Sequence, residues 1–165
     1  MVSGRVALLA GAALLAPTLG HAACVQQKAF YSDRDSAYEL SFEPVDSDAS
    51  SSSHRIKVKI NNSDLVLDGY VMPSEPVNRS NGILFNHCPD GDVTGDDLAA
   101  CTVWEGMVYS STAGKIDLLP PQGADAAPEI LLAGFGASIV DSSAWGPKKA
   151  NVAPWDVFSL KGCKP

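Results

Sequence analysis

The sequence predicts an all-β fold: an antiparallel sandwich or barrel of about seven to nine short strands, stapled by disulfides, with at most one short helix. Three observations lead to it. Apolar and polar residues alternate in several short segments, turn-forming residues separate these segments, and four cysteines lie far apart in the chain. Residues 23–165 are predicted to form a single domain, because the sequence contains no repeat and no second boundary.

The first 22 residues have the parts of a secretory signal peptide. Arg5 is the only charged residue among the first 27, and an apolar run of eleven residues, 6–16, follows it. Gly20 and Ala22 then place small residues where a signal peptidase reads the chain. The apolar run is shorter than the roughly 20 residues of a membrane-spanning helix. We expect cleavage after Ala22 and a secreted or periplasmic protein without a transmembrane segment.

Cys24, close after the predicted cleavage point, makes a lipoprotein signal the alternative. Such a signal usually has leucine three residues before the cysteine, whereas this chain has His21. Lipidation of Cys24 would also leave an odd number of cysteines in an oxidising compartment. Simple cleavage is therefore favoured, and the short basic start with its Ala- and Leu-rich core favours a bacterial periplasm.

The four cysteines allow three pairings. Cys88 and Cys101 flank one acidic, turn-rich loop, which favours a bond between them. Cys24 and Cys163 lie near the two ends of the predicted mature chain, and the termini of a domain are often close together. The sequence therefore predicts the disulfides Cys88–Cys101 and Cys24–Cys163. A four-thiolate zinc site is disfavoured, because zinc ligands usually lie two to four residues apart.

The acidic composition of the chain argues against negatively charged binding partners. The formal net charge is −7. Nucleic acid binding requires basic patches, so nucleic acid is not expected as a partner, and neither is an anionic membrane surface. Negative charge keeps an exported protein soluble. The partner is left as an unknown protein or an envelope ligand.

Alternating residues predict the individual strands. Apolar and polar side chains alternate in residues 38–43 and again in residues 54–60, as in half-buried strands. Residues 46–53 contain Asp, Ser and Ala only and predict a solvated loop. Further strand candidates are residues 70–72, 82–87, 102–110, 115–119 and 155–161.

Residues 61–62, both Asn, can form a two-residue hairpin turn. That turn would place Arg55 opposite Asp68. It would also place Lys59 opposite Asp64, while the apolar residues of both strands meet on the other face. This register explains the basic row of residues 54–60 as structural, in preference to a ligand-binding row.

Residues 129–140 fit two structures. Their apolar residues suit one face of a helix that begins at Pro128, because proline is favoured at the first helical position. Gly134 and Gly136 argue against an undisturbed helix. The favoured interpretation is a buried strand with a glycine-kinked continuation.

The segment between Cys88 and Cys101 is the densest group of functional side chains and partly matches a calcium-binding loop. Acidic or hydroxyl side chains stand at its first, third and fifth positions, and a glycine stands at the sixth. Oxygen ligands on such a turn converge on one hard cation. The candidate ligands for calcium are Asp90, Asp92, Thr94 and Asp96, with Asp97 in place of Asp96 as a variant of the same cage.

The calcium match is incomplete. The twelfth position, a bidentate glutamate in the full motif, is Cys101 here, and no apolar helical run precedes Asp90. The alternative is a solvated acidic loop closed by a disulfide. Calcium is the one cofactor that the sequence suggests, and the two interpretations stay open.

No complete catalytic set is recognisable in the sequence. His87 precedes Cys88, but neighbouring strand residues point to opposite faces and the predicted disulfide removes the thiol. Trp104 and Glu105 place an aromatic ring beside a carboxylate, as in sugar-cleaving sites, yet a second carboxylate cannot be identified. The three tryptophans are interpreted as core or rim residues: Trp104, Trp145 and Trp155.

The sequence therefore favours an exported, non-catalytic β domain that acts by binding a protein or an envelope component. A calcium-dependent module is the first alternative. A small hydrolase that uses Glu105 or His87 is the second.

Overall fold

A computed structural model describes residues 24–46 and 51–165 of the chain, and the predicted signal peptide lies outside them. The described chain begins with a 3-10 turn at Gln26–Lys28. The strands and helices that follow are, in chain order, β1 (Ala29–Asp33), β2 (Tyr38–Glu43), β3 (His54–Ile60), β4 (Val66–Ser74), β5 (Arg79–Phe85), α1 (Gly95–Cys101), β6 (Thr102–Thr112), β7 (Lys115–Leu118), β8 (Glu129–Leu132), α2 (Phe135–Val140) and β9 (Val157–Cys163).

Eight of these strands close into an antiparallel barrel. Neighbours pair in the order β5-β4-β3-β2-β1-β9-β8-β6, and β5 pairs with β6 to close the ring. The pairing of β6 with β5 ends at Val108, which lies opposite Ser80. From Tyr109 onward β6 pairs instead with β7, where Tyr109 lies opposite Leu118. β7 is thus a ninth, outer strand. The predicted all-β class and strand number are confirmed, and of the two predicted architectures the structure is the barrel.

Side chains fill the barrel interior, as the width of an eight-stranded barrel allows. Residues that alternate along β2 and β3 point inward and are buried, while the intervening basic residues of β3 point outward. Phe135 of α2 is also buried, and its ring contacts those of Tyr38, Trp104 and Phe158 at centroid distances of 6.0, 6.1 and 6.1 Å. α2 therefore packs its apolar face into the core.

The β3–β4 hairpin has a different register from the predicted one. Residues 61–65 connect the strands, the Ile60 amide donates to the Leu65 carbonyl, and Lys57 rather than Arg55 lies opposite Asp68. The shift of two residues keeps the same side chains inward, because side-chain direction alternates along a strand. The predicted two-residue turn is wrong, since the backbone and side-chain amides of Asn61 instead donate to two carbonyls of the β1–β2 turn.

The basic row of β3 has acidic partners on both neighbouring strands. Arg55 lies 3.5 Å from Glu43 and 3.4 Å from Asp68. Lys57 lies 3.0 Å from Glu43 and 3.9 Å from Asp68. These four residues form a network of ion pairs on the outer face, which supports the structural interpretation of the row.

Residues 129–140 form a strand and then a helix. β8 agrees with the predicted buried strand, but the glycine-kinked strand continuation is wrong, because α2 begins after it. Gly134, with a φ of 76°, turns the chain. The Asp156 carboxylate accepts the amide hydrogens of Gly134 and Gly136 at 2.7 and 2.9 Å, which satisfies donors at the helix start. With α1, the described chain has two short helices where the sequence allowed for one.

Both predicted disulfides, Cys24–Cys163 and Cys88–Cys101, are confirmed. The first joins the start of the described chain to the end of β9. The second joins the loop after β5 to the last residue of α1. Across residues 24–46 and 51–165, no helix combines the length and apolar character needed to cross a membrane.

Candidate functional site

One tryptophan, Trp155, stands on the outer surface just before β9 and is 48% exposed. The segment that carries it is anchored at two points. The Tyr38 hydroxyl donates to the Val152 carbonyl at 2.6 Å, and Pro154 is buried next to α2, with its carbonyl facing Gly136. An exposed large aromatic side chain therefore projects from a segment that is itself fixed to the barrel.

Two residues of the β1–β2 turn hold the Trp155 ring in place. The indole Nε1–H donates to Asp35 at 2.9 Å, and the Arg34 guanidinium lies 3.7 Å from the ring centroid. Hydrogen bonds from Arg34 and then from Trp155 keep the pKa of Asp35 below its ordinary value. Because the polar atom and one region of the ring are already engaged, the side chain loses little freedom when a ligand binds.

A pocket of about 250 Å³ adjoins this ring, lined by Arg34, Glu129, Trp155, Val157 and Ser159. Glu129 of β8 lies opposite Ser159 of β9. Val157 and Ser159 point outward because they alternate along β9 with a buried residue. We call these five residues, together with Asp35, the Trp155 surface.

Some polar atoms of the Trp155 surface form hydrogen bonds within the protein, and others are left free for a ligand. Glu129 accepts a hydrogen bond from Ser111 at 2.8 Å through Oε2. Within the described residues, its Oε1 atom and the Ser159 hydroxyl have no protein partner. The Arg34 Nε–H donates to Asp35 at 3.3 Å, which leaves the terminal guanidinium nitrogens for a ligand. Hydrogen-bond donors and acceptors thus surround an aromatic and aliphatic wall.

A second cavity, of about 480 Å³, lies at the seam between β5 and β7. His54 forms part of its wall and is 2% exposed. Its Nδ1 atom lies 3.0 Å from the Ser53 hydroxyl, and its Nε2 atom is covered by protein. Burial lowers the pKa of His54 to about 4, against a smaller opposite effect of the Pro120 carbonyl. His54 is therefore a neutral core residue at neutral pH.

The predicted calcium ligands lie on an exposed loop and at the start of α1. Asp90, Asp92, Thr94 and Asp96 are all exposed. Thr94 and Asp97 form a capping box: the Thr94 hydroxyl accepts the Asp97 amide hydrogen at 3.2 Å, and the Asp97 carboxylate accepts the Thr94 amide hydrogen at 3.1 Å. Thr94 bonding also holds the pKa of Asp97 below its ordinary value.

The capping box makes two oxygen-bearing side chains of this loop part of a helix start. In the part of the chain that the structure describes, no group of three or more His, Cys, Asp and Glu side chains is arranged to hold a metal ion. Calcium binding by Asp90, Asp92, Thr94 and Asp96 stays a prediction.

The residues considered for a hydrolase lie apart. Trp104 is buried inside the barrel and donates its Nε1–H to the Ala133 carbonyl at 2.9 Å. Glu105 is exposed on the outer face, where it accepts a hydrogen bond from Asn81 at 3.1 Å. His87 is exposed in the loop after β5. The aromatic–carboxylate pair suggested by the sequence is therefore not formed, because neighbouring strand residues point to opposite faces.

The sequence predicts a core or rim position for Trp155, and its patterns do not single out Arg34, Asp35 or Glu129. The local signal was weak: two charged residues in a turn, and a tryptophan after a proline. The bond between Asp35 and Trp155 joins residues 120 positions apart, which no spacing pattern reveals.

No protein-family model, curated protein or solved structure matches this chain.

Proposed function

We propose that this chain is an exported, non-catalytic domain that binds an envelope component through the Trp155 surface. One observation carries the proposal: Trp155 is half exposed, and yet its Nε1–H is bonded and its ring is covered in part by Arg34. Tryptophan is enriched among the residues that dominate binding energy at interfaces. A ring held in this way is ready for a ligand before the ligand arrives.

Export is supported by the signal-peptide features of the first 22 residues and by the cysteines. All four cysteines are paired, as Cys24–Cys163 and Cys88–Cys101. Disulfides form and persist in oxidising compartments and are rare in the cytosol. A periplasmic or secreted location provides such a compartment.

Binding without catalysis is supported by the state of the two carboxylates at the Trp155 surface. Sugar hydrolysis normally requires one carboxyl group to act as an acid and a second to act as a base or nucleophile. Asp35 has one oxygen bonded to Arg34 and the other to Trp155. Glu129 has one oxygen bonded to Ser111. Asp35 thus serves to position Trp155, and Glu129 alone offers a free oxygen to a ligand.

Cosedimentation with purified envelope fractions tests the proposal. The oxidised protein is mixed with peptidoglycan sacculi or with outer-membrane vesicles, as the wild type, as Trp155→Ala and as Tyr70→Ala. Tyr70 is a matched control, because it is an exposed aromatic residue on β4, four strands from β9 in either direction around the ring. We expect the wild type and Tyr70→Ala to sediment with at least one fraction, and Trp155→Ala to stay in the supernatant.

Two results would show that the proposal is wrong. One is a wild-type protein that stays in the supernatant with every fraction. The other is a Trp155→Ala variant that sediments as the wild type does. Release of soluble fragments from the fraction by the wild type would contradict the non-catalytic part of the proposal.

Calcium binding by the acidic loop is the competing proposal, favoured by the spacing of Asp90, Asp92 and Thr94. Calorimetric titration of the oxidised protein with calcium tests this proposal independently of the Trp155 surface. A calcium site predicts heat and a raised melting temperature, both lost in Asp92→Asn. No heat and no change in melting temperature at about millimolar calcium would end this proposal.

A further inference from the structure

We infer that the ligand of the Trp155 surface is a neutral saccharide ring. This inference deepens the proposed binding function and rests on it. It follows from the size of the pocket, the balance of charge around it, and the hydrogen-bonding groups that it presents.

The pocket restricts the size of the ligand. Its volume of about 250 Å³ lies below the range of roughly 300–1,000 Å³ typical of pockets that bury drug-sized ligands. The Trp155 ring and the exposed Val157 side chain give it an apolar wall. One ring of a larger molecule can occupy this space, with the rest of the molecule extending into solvent.

The pocket carries charges of both signs, so an ionic ligand of either sign meets one repelling group. The Arg34 guanidinium lies against the Trp155 ring, so a cationic ligand that approached the ring would meet a like charge. An anionic ligand that approached Arg34 would meet the carboxylates of Asp35 and Glu129. A neutral ligand avoids both repulsions.

The polar groups exclude a purely apolar ligand. Such a ligand would cover the free oxygen of Glu129 and the Ser159 hydroxyl without bonding to either, and covering unpaired polar groups is unfavourable. A saccharide ring has hydroxyls around its edge that donate to Glu129 and accept from Arg34. Its faces carry C–H groups that pack on Trp155. It therefore satisfies the polar and the apolar parts of the pocket together.

The sheet beneath the pocket disfavours an extended peptide. Peptides often bind barrels and sheets by adding a strand to a free edge. At the Trp155 surface, β9 pairs with β1 and β8, and β8 pairs with β6 and β9. Both strands have partners on both sides, so recognition here depends on side chains.

A titration monitored by nuclear magnetic resonance tests the inference. The indole N–H resonance of Trp155 is assigned by comparison with Trp155→Phe and followed with defined probes. The neutral probes are methyl glucoside, methyl galactoside and N-acetylglucosamine, as single sugars and as short oligomers. Glucosamine is the cationic probe, glucose 6-phosphate is the anionic probe, and a short polyalanine peptide is the peptide probe.

We expect at least one neutral sugar to shift the Trp155 resonance, and both charged sugars to bind about tenfold more weakly or not at all. Trp155→Ala and Trp155→Tyr lack the indole, so their binding is followed by the backbone amide resonances of Val157 and Ser159 in the pocket wall. Trp155→Ala should weaken binding by about tenfold or more, and Trp155→Tyr should retain part of the affinity. Glu129→Gln should weaken it by a smaller factor, because the amide oxygen still accepts a hydrogen bond. Tyr70→Ala should bind as the wild type does.

The outcomes separate this inference from the proposed function. If an envelope fraction binds through Trp155 but no neutral sugar shifts the indole resonance or displaces the protein from that fraction, the binding function stands and the saccharide inference is wrong. Tighter binding of a charged sugar, or of the peptide, also overturns the inference. If Trp155→Ala sediments as the wild type does, both are wrong.

Discussion

His54 should make the stability of this domain depend on pH. Its imidazole is 2% exposed and packs edge-on against Phe42 at a centroid distance of 5.6 Å. Burial lowers its pKa from 6.5 to about 4 in the folded protein, while the unfolded chain keeps a value near 6.5. Between these values the unfolded state binds more protons than the folded state. Stability is thus fully present above about pH 6.5 and falls as the pH drops towards 4.

The expected loss of stability due to His54 follows from these two pKa values. Lowering the pH from about 7.5 to about 5 should reduce the free energy of unfolding by about 2 kcal/mol, and the full effect below pH 4 is about 3 kcal/mol. This is a large part of the roughly 5–15 kcal/mol that stabilises an ordinary domain.

Urea unfolding of the oxidised protein at a series of pH values measures this effect. His54→Gln removes the titrating group, and His87→Gln, at an exposed position, is the matched control. The stability difference between the wild type and His54→Gln should narrow by about 2 kcal/mol from pH 7.5 to pH 5, whereas His87→Gln should follow the wild type. Effects of the carboxylates cancel in these differences. Parallel curves for the wild type and His54→Gln would refute the reasoning.

Three further predictions concern stability measured by the same unfolding experiment. Replacing Cys88 and Cys101 together by Ser should lower the free energy of unfolding by about 3 kcal/mol, because that disulfide spans 13 residues. Replacing Cys24 and Cys163 together should lower it by up to about 5 kcal/mol, because that disulfide spans 139 residues. A larger loss for the Cys88–Cys101 variant than for the Cys24–Cys163 variant would contradict this order. Gly136→Ala should cost about 1–3 kcal/mol, because its Cβ would lie 2.5 Å from the Pro154 carbonyl oxygen, whereas Gly123→Ala, with no atom within 4 Å, should cost much less. Thr94→Ala should cost about 1 kcal/mol through loss of the capping box, and an unchanged midpoint would show that α1 does not depend on it.

Strand position could be predicted from the sequence because the period-two pattern is local. The alternating residues of β2 and β3 coincide with the strands that form. The β3–β4 register could not be predicted in the same way, because both candidate registers bury the same face. Contacts of Asn61 with the β1–β2 turn, far away in sequence, accompany the longer loop.

α1 shows a local signal that has two interpretations. Thr94 and Asp97 have the spacing of a capping box, and they also fall within a partial calcium motif. The calcium motif predicts that the side-chain oxygens are ligands, while in the structure Thr94 and Asp97 begin a helix. Short acidic motifs have this ambiguity because the side chains that bind calcium are also those that cap helices.

The candidate site could not be predicted from local sequence patterns, because its residues come together only when the barrel closes. The ring places β1, β9 and β8 side by side, and so brings Arg34 and Asp35 to Trp155 and the pocket wall. These contacts fix the Trp155 side chain, which stays half exposed and therefore contributes little buried apolar surface to the stability of the fold. Under the proposed binding function, the freedom of Trp155 is lost when the chain folds rather than when the ligand binds. An arrangement that adds little to the core but lowers the entropic cost of binding is expected of a recognition surface.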